Sequence, residues 1–171
     1  HGMLEVFRAA STPVTFTVYL TQACVCDIVL CCVGTPSSTD GSADLSFVHS
    51  ATKTCAKIAP GTLFVIKSTV PPGTSRAVAA AVEHRLRVAA NPEFLREGSA
   101  VEDAVKPSRI VIGADDPSVL SALCDLYAGV DAPIVVTDTV TAEMVKYASN
   151  SFLATKISFI NEIANLCDAV G

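Results

Sequence analysis

From residue 27 onward, short apolar runs alternate with longer amphipathic stretches. The run Asp27-Ile28-Val29-Leu30-Cys31-Cys32-Val33 is continuously apolar, rich in β-formers, and ends in the small-residue loop Gly34-Thr35-Pro36-Ser37-Ser38. That pattern predicts a strand buried on both faces. Residues 62–66, 86–90, 109–113 and 133–137 read the same way. Between them the spacing predicts a helix over 47–58, capped by Asp44 or Ser46 and stopped at Ala59-Pro60-Gly61. An Ala-rich helix follows from Thr74 or Ser75 to about residue 85, then a short helical piece at 99–105. Asp116-Pro117 opens a helix to residue 127, with proline in the first turn, where its missing N–H is harmless. Residues 141–171 read as one long helix, without Pro and without Gly before Gly171. Residues 1–23 are the least readable, although 13–20 alternate like a strand.

Strands and helices in alternation, with short connections, predict a parallel sheet covered on both faces. The last helix stands apart. Phe152, Leu153, Ile157, Phe159, Ile160, Ile163 and Leu166 leave little of its circumference polar. Such a helix needs burial on more than one side, as at a domain junction or a subunit interface.

Composition agrees with that demand. Half the residues are hydrophobic and 17% are charged, against roughly 25% in soluble domains. This points to a large buried partner surface, or to a piece of something larger. No apolar run approaches the ~20 residues a bilayer requires, so no membrane span is expected. A net charge of −5 argues against nucleic acid. The seven cysteines are odd in number, Cys31-Cys32 lies within a strand, and no charged-then-apolar leader precedes them. They read as reduced thiols of a cytoplasmic protein. Cys24-x-Cys26 has no His or second Cys pair at zinc spacing, so no metal site is expected.

The chemistry concentrates in Asn91-Pro92-Glu93-Phe94-Leu95-Arg96-Glu97-Gly98. Asn91-Pro92 stops the preceding strand. Two carboxylates then follow, with a guanidinium between them, past the carboxyl end of a strand, where α/β sheets bind ligands. On the last helix, Lys146 and Asn150 share a face at i, i+4. Taken singly, each has a plainer reading: Lys146 as a solvated lysine, Thr35 as a turn hydroxyl, Thr69 as a strand-end cap, Glu93 as a solvated loop residue, and Arg96 as a surface partner of a glutamate.

Four motifs together resemble the nucleotide-sugar 6-dehydrogenases, the UDP-glucose/GDP-mannose dehydrogenase family. They are Val33-Gly34-Thr35-Pro36, Lys67-Ser68-Thr69-Val70-Pro71-Pro72-Gly73-Thr74, the loop at 91–98, and Glu143-Met144-Val145-Lys146-Tyr147-Ala148-Ser149-Asn150. The resemblance runs from about residue 27 to 171. It implies a Rossmann-like, mostly parallel sheet with helices on both faces over residues 1–140, and the start of a long central, dimerisation helix at 141–171. It also implies NAD as cofactor, a UDP-sugar as substrate, a homodimer, and oxidation of a primary alcohol to a carboxylate through a cysteine thioester. By matched position, Glu93, Phe94, Leu95, Arg96, Glu97, Lys146 and Asn150 would contact substrate. Thr35, Thr69 and Glu97 would lie near the nicotinamide. Lys146 and Asn150 would stabilise an oxyanion, and Glu93 or Glu97 with Thr69 would hold the hydrolytic water. The Phe-Leu-Arg-Glu-Gly form of the loop looks more like the UDP-glucose enzyme than the GDP-mannose or UDP-N-acetylmannosamine enzymes.

Two features of the family are missing. No Gly-x-Gly-x-x-Gly loop is present to cradle a dinucleotide pyrophosphate, and no acidic residue for the adenosine ribose can be assigned. The family's nucleophilic cysteine lies beyond the long helix. The expectation is therefore an internal fragment without activity alone, prone to self-association through residues 152–166. The reading from another class is a non-catalytic remnant that only binds or assembles.

Overall fold

The computed structural model describes residues 14–23 and 26–171. Eleven elements are described within them: α1 (Leu20–Ala23), β1 (Ile28–Cys31), α2 (Ser46–Ile58), β2 (Leu63–Ile66), α3 (Thr74–Ala81), β3 (Arg87–Ala90), α4 (Ala100–Val105), β4 (Ile110–Gly113), α5 (Pro117–Leu126), β5 (Ile134–Thr137) and α6 (Thr139–Val170). The strands form one sheet in the order β1-β2-β3-β4-β5.

The period of two along each strand divides the core. Phe64 and Ile66 of β2 point to α2 and α3, joining Val48, Cys55 and Val78 in one buried cluster. Leu63 and Val65, one residue out of phase, join Ile110, Ile112, Val119 and Leu123 under α5 on the opposite face. Ala90 and Val111 meet Ala142, where α6 begins. The sheet is thus covered on both sides, and β2 and β4 are apolar and buried throughout for that reason.

Three of the four strand pairings are parallel, but β4 runs antiparallel to β3, with Ala90 opposite Gly113. A parallel return needs a crossover element packed on the sheet. The connection here carries only α4, which has no buried residue. The chain reverses instead, and the segment after Ala90 continues along the edge of β4. This reversal gives the acidic loop its place.

Gly113 permits the close approach of α6. A Cβ there would stand 2.5 Å from Ala142 Cβ, 2.8 Å from the Asp138 carbonyl oxygen and 3.0 Å from Thr139 Cα. Two of these neighbours are backbone, and Ala142 is fully buried. Gly113→Ala is expected to cost about 2 kcal/mol in thermal or urea melts, as overpacking of a tight contact does.

Several boundaries differ from the sequence reading. Residues 14–19 form no strand, and α1 follows them; residue 13, the start of that predicted strand, lies outside the described residues. Alternation alone does not make a strand where no neighbour offers a ladder. The helix expected to reach about residue 85 ends at Ala81, because Glu83 and His84 both adopt left-handed backbone (φ 53° and 54°). The last helix starts two residues early, at Thr139, with the Asp138 side chain accepting from Thr141 N (3.1 Å).

The α3 cap also differs. Neither Thr74 nor Ser75 caps it; Gly73 takes the N-cap position with φ 93°. The free N–H groups are met from across the fold by Glu143 of α6. Its carboxylate accepts from Gly73 N (2.5 Å), Ser75 N (2.7 Å) and Ser75 Oγ (2.6 Å).

Only the first turns of α6 are packed: Thr139, Ala142, Glu143 and Lys146 are its buried residues. From residue 150 on the helix is exposed, with Phe152, Ile157, Phe159, Ile160 and Leu166 among its bare side chains. No helix among the described residues is long and apolar enough to cross a membrane.

Candidate functional site

A cleft of about 700 Å³ lies between the 91–97 loop, the start of β4 and the first turns of α6. Its size is ordinary for a small-molecule site. Lys67, Glu93, Phe94, Arg109, Lys146 and Asn150 are among its walls.

The loop is anchored at both ends. At its start Asn91 is 1% exposed, and its backbone N–H still bonds to Ile66 O (2.9 Å). Its Nδ2 donates to Val111 O (2.7 Å), and its Oδ1 accepts from Lys67 Nζ (2.9 Å) and Tyr127 OH (2.5 Å). At the far end Arg96 turns away from both glutamates. Its backbone N (2.9 Å), Nε (3.1 Å) and Nη2 (2.7 Å) all donate to the Asp103 carboxylate. The Arg96 bonds hold the Asp103 carboxyl well below the usual carboxylate range, helped by Ser99. Arg96 thus pairs with Asp103 rather than a glutamate.

Between the anchors, Glu93 turns inward. Its Oε1 accepts from Lys146 Nζ at 3.0 Å, and its Oε2 from Leu95 N at 2.5 Å. Lys146 is 5% exposed, so it is not a solvated lysine. Phe94 presents its ring to two cations, with Arg109 Cζ 4.1 Å and Lys146 Nζ 5.3 Å from the centroid. Arg109 Nη2 also donates to Ser149 Oγ on α6 (3.3 Å). A desolvated cation over an aromatic face contributes about 1–2 kcal/mol.

Glu93, Phe94, Leu95, Arg96, Lys146 and Asn150 therefore share one cleft. Asn150 is exposed on its wall. Glu97 is exposed and outside the lining. Thr35 and Thr69 are likewise outside the lining and form a separate junction. Thr35 Oγ1 donates to Thr69 O (2.7 Å) and Ser68 Oγ donates to Val33 O (2.6 Å), joining the loops after β1 and β2. Cys32 lies within electrostatic reach of the cleft. Burial pushes its thiol up, Lys67 pulls it down and Glu93 pushes it up. No cysteine lines the cleft. Among the described residues no His, Cys, Asp and Glu group is arranged to hold a metal.

Lys67, Asp103, Arg109, Tyr127 and Glu143 were not singled out from the sequence. Lys67 and Glu143 stand inside the quoted motifs. Tyr127 reaches Asn91 from 36 residues away, and no local pattern carries that information.

The fold is α/β, and the cleft lies beyond the carboxyl ends of β2 and β3, where ligands bind in such sheets. Comparison with known proteins narrows this. The NAD-binding domain of the UDP-glucose/GDP-mannose dehydrogenase family matches residues 2–131, and the central domain of the same family matches residues 140–171. The chain belongs to the UDP-glucose/GDP-mannose dehydrogenase family. The match reaches back to residue 2, well before the motifs legible by eye. The UDP-glucose 6-dehydrogenase of Rickettsia conorii is 51% identical over 150 residues, covering 85% of this chain and 35% of that protein. The structure of a UDP-glucose dehydrogenase from Pyrobaculum islandicum superposes with TM-score 0.82 at 48% identity, over 87% of this chain and 37% of that one. A GDP-mannose dehydrogenase from Pseudomonas aeruginosa gives TM-score 0.84 at 34% identity, over 91% and 39%. The chain spans about a third of the length of these relatives.

Proposed function

We propose that the cleft binds a UDP-sugar and that the protein takes part in NAD-dependent oxidation of the 6-hydroxymethyl group of UDP-glucose to the carboxylate. The observation that carries this reading is the Lys146–Glu93 pair, 3.0 Å apart and joining α6 to the acidic loop. It sets a buried cation, a carboxylate and the Asn150 amide around one space. The 48% identity to the P. islandicum UDP-glucose dehydrogenase, against 34% to the GDP-mannose enzyme, supports glucose as the sugar.

In this reading Lys146 and Asn150 face the oxygen at the reacting carbon and stabilise it as negative charge develops. Glu93, held by Lys146, takes a proton directly or through water and orients the hydrolytic water. Its place in the cleft favours it over Glu97 for that role. Phe94, Leu95 and Arg96 supply the wall along which the nucleotide sugar lies. Thr35, Thr69 and Glu97 form the cofactor side. The residues fit the nicotinamide half of the dinucleotide, because the Thr35–Thr69 bond joins the loops after β1 and β2 into one rim. When bound, NAD supplies the hydride acceptor. The exposed apolar face of α6 is read as the surface that a second copy covers, giving a homodimer in which residues 1–140 form the NAD-binding part and 141–171 the start of the central helix.

A chimera carrying this segment in place of the matching third of the R. conorii enzyme tests the reading. Absorbance of NADH should rise with UDP-glucose, and more slowly with GDP-mannose or UDP-N-acetylmannosamine. The 171-residue chain alone should form no carboxylate product, since no thiol lines its cleft to carry the second oxidation through a thioester. A folded chimera that makes no NADH from any of the three contradicts the proposal and favours a segment that only binds or assembles.

A further inference from the structure

We infer that Tyr127 is a positioning residue for the acidic loop, acting with Lys67 through Asn91. Tyr127 stands at the C-cap of α5, on the face of the sheet opposite α6. Its hydroxyl donates to Asn91 Oδ1 (2.5 Å) and accepts from Lys67 Nζ (3.3 Å). Lys67 Nζ completes the set with bonds to Asn91 Oδ1 (2.9 Å) and Asn91 O (3.3 Å), and stands 5.9 Å from the Tyr127 ring centroid.

The arrangement is specific in three ways. First, every polar atom of the Asn91 side chain is used, and the residue is 1% exposed, so its position tolerates little drift. Second, Asn91 is followed by the buried Pro92, whose ring fixes φ. The direction set at Asn91 is therefore passed to Glu93 one residue on. Third, Lys67 forms no salt bridge among the described residues; its hydrogen-bond partners are neutral oxygens. Lys67 is thus held as a structural donor in the wall of the cleft. The network thus ties the end of α5, the end of β2 and the end of β3 to one point, and the bond from Glu93 to Lys146 on α6 is aimed from that point.

The inference rests on the sugar-nucleotide reading for its ligand arm only. In Tyr127→Phe the ring stays and the hydroxyl is lost, leaving Lys67 as the one donor to Asn91 Oδ1. Hydrogen–deuterium exchange of the 171-residue chain should then show residues 93–97 exchanging about fivefold faster, the equivalent of one lost hydrogen bond. Residues of β1 and β2 should stay at the wild-type rate. The dissociation constant for UDP-glucose by titration calorimetry should rise by a similar factor, while the melting temperature changes by a few degrees at most. Lys67→Met is the second variant and should act on the same residues. A merely structural role predicts uniformly faster exchange and a lower melting temperature with unchanged affinity, and either that result or unchanged exchange at 93–97 overturns the inference. If wild-type chain does not bind UDP-glucose, the sugar-nucleotide reading fails, and exchange at 93–97 still decides the role of Tyr127.

Discussion

Glu143→Ala is expected to destabilise the chain by about 3 kcal/mol, lowering its melting temperature by roughly 6–12 °C for a domain of this size. Glu143 is 3% exposed, and its two oxygens accept three hydrogen bonds from Gly73 N, Ser75 N and Ser75 Oγ. Hydrogen bonds to a charged group contribute about 1.5–3 kcal/mol each, and a buried donor left unpaired adds its desolvation cost. The carboxylate also faces the positive end of α3. Alanine removes all of this at once and strands two donors on Ser75, itself 1% exposed. Glu143→Gln keeps the length and one acceptor oxygen, so about half the loss is expected. Circular-dichroism melts of the two variants check the order. Equal losses would mean that packing rather than the charged cap is responsible.

Lys146→Met should have the largest effect on chemistry. In the chimera with the R. conorii enzyme, kcat is expected to fall by about 10²–10³-fold, the usual consequence of removing one preorganised donor from a developing oxyanion. Methionine keeps an unbranched apolar side chain of similar length without the ammonium that stands over the Phe94 ring. The Glu93 side chain is 34% exposed, so water can solvate it once its cation is gone. The stability change should consequently be small beside the change in rate. Steady-state NADH production separates the two. A KM increase with unchanged kcat would mean that Lys146 binds ground and transition state equally.

What the sequence revealed and what it hid follow from the range of each interaction. The strands of the sheet were legible because each is a local apolar run, and the boundary at Asn91-Pro92 because proline acts on its neighbour. The fourth strand's reversal was not legible, since it depends on α4 failing to pack, which is a tertiary fact. The end of α3 was misplaced for a similar reason: Glu83 and His84 are ordinary residues that the following turn holds in left-handed backbone. In the site, Lys146 and Asn150 could be paired by helical spacing. The partner of Lys146 could not, because Glu93 is 53 residues away. The plainer reading of Arg96 as partner of a glutamate named the wrong carboxylate: it pairs with Asp103, since α4 brings that side chain over the loop. The distant cap from Glu143 and the contact from Tyr127 belong to the same class. Each joins two elements whose separation in sequence carries no periodic signal.

The placement of the site can be tested on the chain itself. Titrating isotope-labelled protein with UDP-glucose and following backbone amide resonances reads every residue at once. The largest shifts are expected at Glu93, Phe94, Leu95 and Arg96 on the loop and at Lys146 and Asn150 on α6. Shifts confined to other surfaces, or none at saturating ligand, would contradict that placement.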